Sequence, residues 1–148
     1  MSDSLPFIFE DDPAFPGWKR WELPDPAKFN AFLGAMHVRV EGGVARVRMV
    51  PEERHTNLRN HVHGGALLGF MDCALFGAAR GFDVLTAGGA STLDLSAQFI
   101  TGAEPGTPLE ARVELLRETG RLLFMRGLVT QDETIIASFT GTVRKASA

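Results

Sequence analysis

From Val38 onward the chain alternates by twos. Val38 and Val40 stand against Arg39 and Glu41, then Ala45, Val47 and Met49 against Arg46 and Arg48. A period of two sends successive side chains to opposite faces of a strand. Gly42-Gly43 between the runs supplies a tight turn, so a β-hairpin is expected. The alternation returns in ASTLDLSAQFI from Ala90 and in PLEARVELLR, where Leu109, Ala111, Val113 and Leu115 share a face opposite Glu110, Arg112 and Glu114. Turns at 118–121 and 131–133 lead into LLFMRGLVT and TIIASFTGTVRK, which makes four later antiparallel strands.

Between Gly64 and about Arg80 the period of two disappears. Alanine, leucine, methionine and phenylalanine replace the β-branched residues, and apolar positions occur on nearly every side. That pattern predicts a helix buried all round, closed by Gly81 just after Arg80. A shorter helix is expected from Pro26 to Leu33, with proline in its first turn and Gly34 as its stop. Residues 1–26 carry five prolines among Phe7, Phe15, Trp18 and Trp21. They read as an irregular N-terminal arm laid on a domain of residues 27–148. The fold class is therefore α+β, a curved antiparallel sheet wrapped around a central apolar helix.

Composition narrows the class of function. The 148 residues suit one domain with a real core. A net charge of −3, with lysines and arginines scattered along the chain, leaves neither a nucleic-acid footprint nor a polybasic membrane patch. The longest apolar run, Ala66 to Ala79, is too short for a membrane span and contains Asp72. The acidic start MSDSLPFIFEDD lacks the features of a signal peptide. A single cysteine, Cys73, allows no intrachain disulfide and no zinc cluster, and its apolar neighbours mark it as an inert core thiol. A soluble, cytoplasmic protein is expected.

The chemistry concentrates in HVHGGALLGFMD, residues 61–72. Asp72 shares a helical stripe with Leu68, Leu75, Phe76 and Ala79. An unpaired buried carboxylate costs several kcal/mol, so this one either pairs structurally or lines a cleft as a general base or nucleophile. Gly64 and Gly65 open the helix, where unpaired N–H groups and the positive end of the macrodipole favour an anion or a polarised carbonyl oxygen. A glycine amide there lets a carbonyl approach and donates to its oxyanion, although the same pair also serves a tight loop-to-helix junction. Asp72 lies eight residues after Gly64, which is about 12 Å along one helix. One copy cannot readily serve one carbonyl with both groups, whereas two antiparallel copies in a dimer can.

Asn57, His63-Gly64-Gly65 and Asp72, followed by STLDLSAQFITGAEPGTPLEARVELLRETGR, resemble the hotdog-fold acyl-CoA thioesterases of the PaaI type over roughly residues 34–144. The resemblance implies Asp72 as base or nucleophile, the Gly64 amide as oxyanion donor and Asn57 as the group that positions thioester or water. It also implies a water-contacting hydroxyl at the start of the next strand, for which Ser91 and Thr92 compete. It further implies a homodimer with edge-to-edge sheets, antiparallel helices and shared sites, assembled into a homotetramer, and it requires no cofactor. The substrate-binding candidates are His63 and Gly65 at the helix entrance with Phe70, Phe76 and Phe99, joined by Phe82 and Leu85. Arg117, Arg121, Arg126, Arg144 and Lys145 are candidates for coenzyme A phosphates, or simply solvated charges.

The bland readings stand beside these. His63 holds the helix entrance by a hydrogen bond, and Asn57 makes a turn. His55, His61 and His63 lack the acid or thiol cluster of a metal site. Two other functions fit the same fold: an enoyl-thioester hydratase or dehydratase, which pairs a His with an acid, and a non-catalytic acyl-CoA-binding module.

Overall fold

The computed structural model describes residues 7–85 and 89–146. Its elements run β1 (Ile8–Asp11), β2 (Lys19–Glu22), α1 (Phe29–Leu33), β3 (Met36–Glu41), β4 (Val44–Met49), α2 (Gly64–Gly81), β5 (Ser91–Phe99), β6 (Leu109–Glu118), β7 (Leu122–Gln131) and β8 (Thr134–Arg144). All eight strands join one antiparallel sheet in the order β1-β2-β3-β4-β6-β7-β8-β5. The long helix α2 packs against β3, β4, β5, β6 and β8. The expected α+β architecture is what forms.

Pattern becomes packing directly in the β3–β4 hairpin. Gly42 and Gly43 both take positive φ, 59° and 78°, as a type I′ turn requires. The turn sets a register in which Val38 faces Val47 and Val40 faces Ala45. Ala45, Val47 and Met49 are buried, as are Leu109, Ala111 and Val113 across the ladder on β6. Phe70, Met71, Ala74, Leu75 and Ala78 of α2 close this layer and are fully buried. Each large side chain so buried contributes about 1.5–3 kcal/mol.

The N-terminal arm differs from the expectation of irregularity. Residues 8–11 and 19–22 pair as two short strands, Ile8 with Glu22 and Asp11 with Lys19, and extend the sheet beyond β3. Pro13 and Pro16 sit in the connecting turn, where the missing N–H costs no ladder bond. The hairpin grips both faces of the sheet edge. On the concave side Trp21 is buried among Phe7 and Phe9, and its indole N–H donates to the Cys73 carbonyl at 3.3 Å. On the convex side Trp18 stacks over Arg46 and Arg48, and His37 donates to Asp12 at 2.8 Å.

Three further expectations are corrected. The helix before Gly34 starts at Phe29, because residues 25–28 form a turn in which Asp25 accepts from the Ala27 amide. Gly81 lies inside α2, and the left-handed residue beyond the helix is Asp83, with φ 60°. Gly81 is small for a packing reason: a Cβ there would stand 2.9 Å from Val40 and 3.1 Å from Val38. Finally, α2 is open along one stripe in the single chain. Gly65 and Leu68 are exposed, and Gly69, Asp72 and Phe76 are half-buried, because the sheet curves around only part of its circumference.

Glu110 is buried on the convex face, where sequence alternation points it outward. Arg46, Arg48 and Arg112 donate to it at 3.0, 2.9 and 2.8 Å. Burial works to raise its pKa, but those bonds outweigh burial and hold the carboxyl at about 2.

Candidate functional site

The entrance to α2 is anchored before the helix begins. Val62 N–H donates to Ala103 O and His63 N–H to His55 O, both at 2.8 Å. His63 is the N-cap: its extended backbone ends the loop, and its Nδ1 accepts the Gly65 N–H at 2.8 Å. The two glycines then differ. A Cβ on Gly65 would sit 3.1 Å from His63 Nδ1, inside the cap, so Gly65 fits the junction. A Cβ on Gly64 would meet only the Phe99 ring, at 3.7 Å, an ordinary contact. Packing in the single chain therefore does not demand glycine at 64. Its N–H is one of the donors a helix start leaves over, and it has no acceptor among the described residues.

Two turns further on, Asp72 faces the open stripe. Thr92 Oγ1 donates to Asp72 Oδ1 at 2.5 Å, a short charge-assisted bond that fixes the carboxylate and leaves Oδ2 available. Register separates Ser91 from Thr92. Thr92 pairs with Val143, whose side chain points into the core, and Ser91 with Arg144, which points out. A bulge between Thr92 and Asp94 re-aims the strand so that Thr92, Leu95 and Ala97 all face inward.

Asn57 is engaged as a loop organiser. Its Oδ1 accepts from the amides of Arg59 at 2.9 Å and His61 at 3.2 Å. Its Nδ2 group has no partner among the described residues and stays free to donate. Within one chain the structure brings Asp72 to Thr92 and Gly64 to Phe99, but it leaves the Gly64 amide and Asp72 about two helical turns apart, roughly 12 Å.

Among the aromatic candidates, Phe99 is half exposed over Gly64, and Phe76 lies on the open stripe. Phe70 is corrected: it is fully buried between helix and sheet and lines no open cleft. Leu85 is buried as well, and Phe82 packs against the core. The reason is helical phase, since Phe70 falls on the opposite side of α2 from Leu68 and Asp72. The histidines have separate duties. His55 is buried, donates from Nε2 to Phe32 O at 2.6 Å and accepts Glu52 N–H at Nδ1. His61 lies 3.4 Å from Glu104. Burial first, and the Asp72 charge second, push the Cys73 thiol up to about 12, so it stays protonated and inert. Of the five cations, Arg126 pairs with Glu114 and Lys145 with Glu118, whereas Arg121 and Arg144 flank Leu93 in a surface cleft.

Sequence reasoning missed Phe29 and Phe32. They look like the apolar positions of a short helix, yet they are 60% and 44% exposed, beside the first turn of α2. Nothing in the sequence marks them, because their exposure follows from where α1 lands.

The model of a family described as the thioesterase superfamily matches residues 59–137, a segment holding α2, Asp72 and Thr92. A variant of the phenylacetic acid degradation protein PaaI from Thermus thermophilus is 27% identical, covering 80% of this chain and 98% of its own, with a TM-score of 0.66. A phenylacetic acid degradation-related putative thioesterase from Ralstonia eutropha is 26% identical over 82% of this chain and 91% of its own, with a TM-score of 0.64. Thioesterase superfamily member 2 from Mus musculus, 19% identical over 80% of this chain and 87% of its own at a TM-score of 0.67, shares the hotdog fold. No curated protein matches in sequence.

Proposed function

Because the chain belongs to the thioesterase superfamily, we propose that it hydrolyses acyl-CoA thioesters to a carboxylic acid and coenzyme A. The observation that carries this reading is the Thr92–Asp72 bond on the open face of α2, in a helix whose first amide, Gly64, is left unpaired. A thiolate leaves readily, so one activated nucleophile and one oxyanion donor suffice.

In this mechanism the thioester carbonyl oxygen accepts the Gly64 N–H, and the Asn57 NH2 group orients the thioester or the attacking water. Thr92 holds one oxygen of Asp72, and the other takes a proton from water as the water oxygen bonds to the carbonyl carbon. The tetrahedral oxyanion rests on the Gly64 amide. Its collapse breaks the C–S bond, and the proton on Asp72 passes to the departing thiolate. Alternatively Asp72 attacks the carbonyl directly and expels the thiolate, forming a mixed anhydride that water then cleaves at the Asp72 carbonyl. Single-turnover hydrolysis in 18O-water separates the two, since only the second places 18O in Asp72.

The separation of Gly64 from Asp72 along one helix makes the site a product of two chains. Asn57 and Gly64 of one copy meet Asp72 of a second across the open stripe of α2 and the free edge of β5. A homodimer, paired again as a homotetramer, in the cytoplasm and without a cofactor completes the proposal. No helix among the described residues is long and apolar enough to cross a membrane. The hydratase alternative needs a His–acid pair beside the Gly64 amide, and the histidine next to that amide, His63, is committed to the Gly65 amide.

Thiol release from a panel of acyl-CoAs tests the function. Turnover is expected, with Asp72→Asn lowering kcat by about a hundredfold or more in a folded protein. Binding without release of thiol, or near-normal turnover by Asp72→Asn, would refute it.

A further inference from the structure

Where the β1–β2 turn folds over the ends of β3 and β4, it encloses a chamber of about 230 Å³ bounded by Phe15, Trp18, His37, Arg48, Met49 and Glu52. Every residue that lines it except Pro108 precedes Asn57 in the chain. His37 and Arg48 are cross-strand partners on the convex face of the sheet. The chamber therefore shares no residue with the open stripe of α2 or with Asp72.

Its aromatic walls are held in place. Phe15 is 52% exposed, yet its ring rests on His37 with centroids 4.3 Å apart, and His37 donates to Asp12 at 2.8 Å. The turn that carries Phe15 is closed by three backbone bonds. Asp12 N–H donates to Trp18 O at 3.1 Å, and Phe15 N–H to Asp12 O and Trp18 N–H to Phe15 O, both at 3.0 Å. An exposed ring fixed in this way has little freedom left to lose when a ligand packs on it.

The charge at the walls is unevenly matched. Arg48 lies over the Trp18 ring at 5.0 Å and uses its Nε–H on Glu110. That carboxylate is shared with Arg46 and Arg112. Arg46 has Glu41 as a second partner, whereas the NH2 groups of Arg48 meet no acceptor among the described residues. Glu52, the acid in the wall, is already paired with Arg54 at 2.9 Å and accepts the His55 amide. What remains uncommitted is a guanidinium beside aromatic surface. A cavity of about 150 Å³ holds benzene, so this one has room for a single ring with a small head group.

We propose that the chamber is a second ligand site, which takes a compact aromatic carboxylate. The ring packs among Phe15, Trp18 and Leu33, and the carboxylate accepts from the Arg48 NH2 groups. Occupancy requires neither Asp72 nor turnover.

Titration of the full-length protein with benzoate tests this through tryptophan emission, because Trp18 forms a wall and Trp21, the other tryptophan, is buried in the core. Saturable binding is expected, tighter by about tenfold or more than that of benzyl alcohol, a ring without the charge, or propanoate, a charge without the ring. Phe15→Ala should weaken benzoate about fivefold. Arg48→Gln should weaken it about tenfold and erase the preference over benzyl alcohol. Phe15 is exposed, so its truncation leaves the core intact and decides the matter even if loosening Glu110 unfolds the Arg48 variant. Trp18→Phe should remove most of the emission change, and saturating coenzyme A should leave the titration as it was. No saturable binding, equal affinity for benzyl alcohol, competition by coenzyme A, or an affinity untouched by Phe15→Ala would overturn the assignment.

Discussion

Thr92 and Asp72 meet at 2.5 Å across the gap between the edge strand β5 and the helix α2. The bond joins two residues 20 positions apart in the chain, and it exists because a bulge turns Thr92 inward. Thr92→Val keeps the shape and removes the donor. It should lower kcat about tenfold with little change in KM, whereas Thr92→Ser should restore most of the rate and Ser91→Ala should do nothing. Equal rates for the valine and serine variants would make the hydroxyl irrelevant to Asp72.

The two glycines at the helix start should separate rate from stability. Gly64→Ala introduces a methyl that Phe99 tolerates at 3.7 Å, so Tm should hold or rise slightly while kcat falls. Gly65→Ala crowds the His63 cap at 3.1 Å and should cost about 1 kcal/mol of stability. Thermal melts with kinetics on both variants check this, and a loss of Tm without loss of kcat in Gly64→Ala would return that glycine to a junction role.

Mixed dimers test the shared site. Asn57→Ala and Asp72→Ala proteins should each be inactive, yet co-refolding them should return about a quarter of wild-type activity. Half the random dimers are mixed, and each mixed dimer holds one intact site of two. Heterodimers shown to be present but inactive would confine the whole site to one chain.

Acid should reveal Glu110. Its folded pKa of about 2 lies below the ordinary value of 4.5, so its contribution is present above pH 4.5 and disappears as pH falls toward 2. Denaturant unfolding of wild type and Glu110→Gln across that window should show the wild type losing its advantage. A constant difference between the two would mean the arginine cluster is energetically neutral.

The N-terminal hairpin should behave as part of the core. Trp21→Ala removes a buried indole packed on Gly77 and should cost about 3–5 kcal/mol. An unchanged Tm after deletion of residues 1–26 would instead support the division into arm and domain.

The sheet and the long helix were legible because their signals are local. Gly42-Gly43 needed only its own backbone, and the face of Leu109, Ala111 and Val113 only its own alternation. Strands β1 and β2 were hidden because prolines around them mask four-residue elements stabilised by tertiary contacts of Phe7, Phe9 and Trp21. Asp72 and Gly64 stand out as candidates by residue type and spacing, and Asn57 only through the resemblance. Thr92 over Ser91 was not, because the bulge at Leu93 is invisible in a pattern of alternation. Phe70 was misassigned because a helix rich in apolar residues on every side does not display which of them the sheet will cover. Phe29 and Phe32 acquire their exposure from where α1 lands, which no local pattern encodes.

The β1–β2 hairpin has one more effect, on how far assembly can run. A sheet with two bare ends can add a neighbour at each and grow as a ribbon. Here one end is β5, nine residues long, and the other is a four-residue strand finishing in Glu10 and Asp11. Only the first offers a ladder long enough to extend, so in the proposed dimer pairing through it would close on a second copy and stop. Stripping the hairpin away would bare β3 and give each molecule two usable ends. In the proposed assembly this short acidic edge would act as a terminator, keeping a finite particle from becoming a filament.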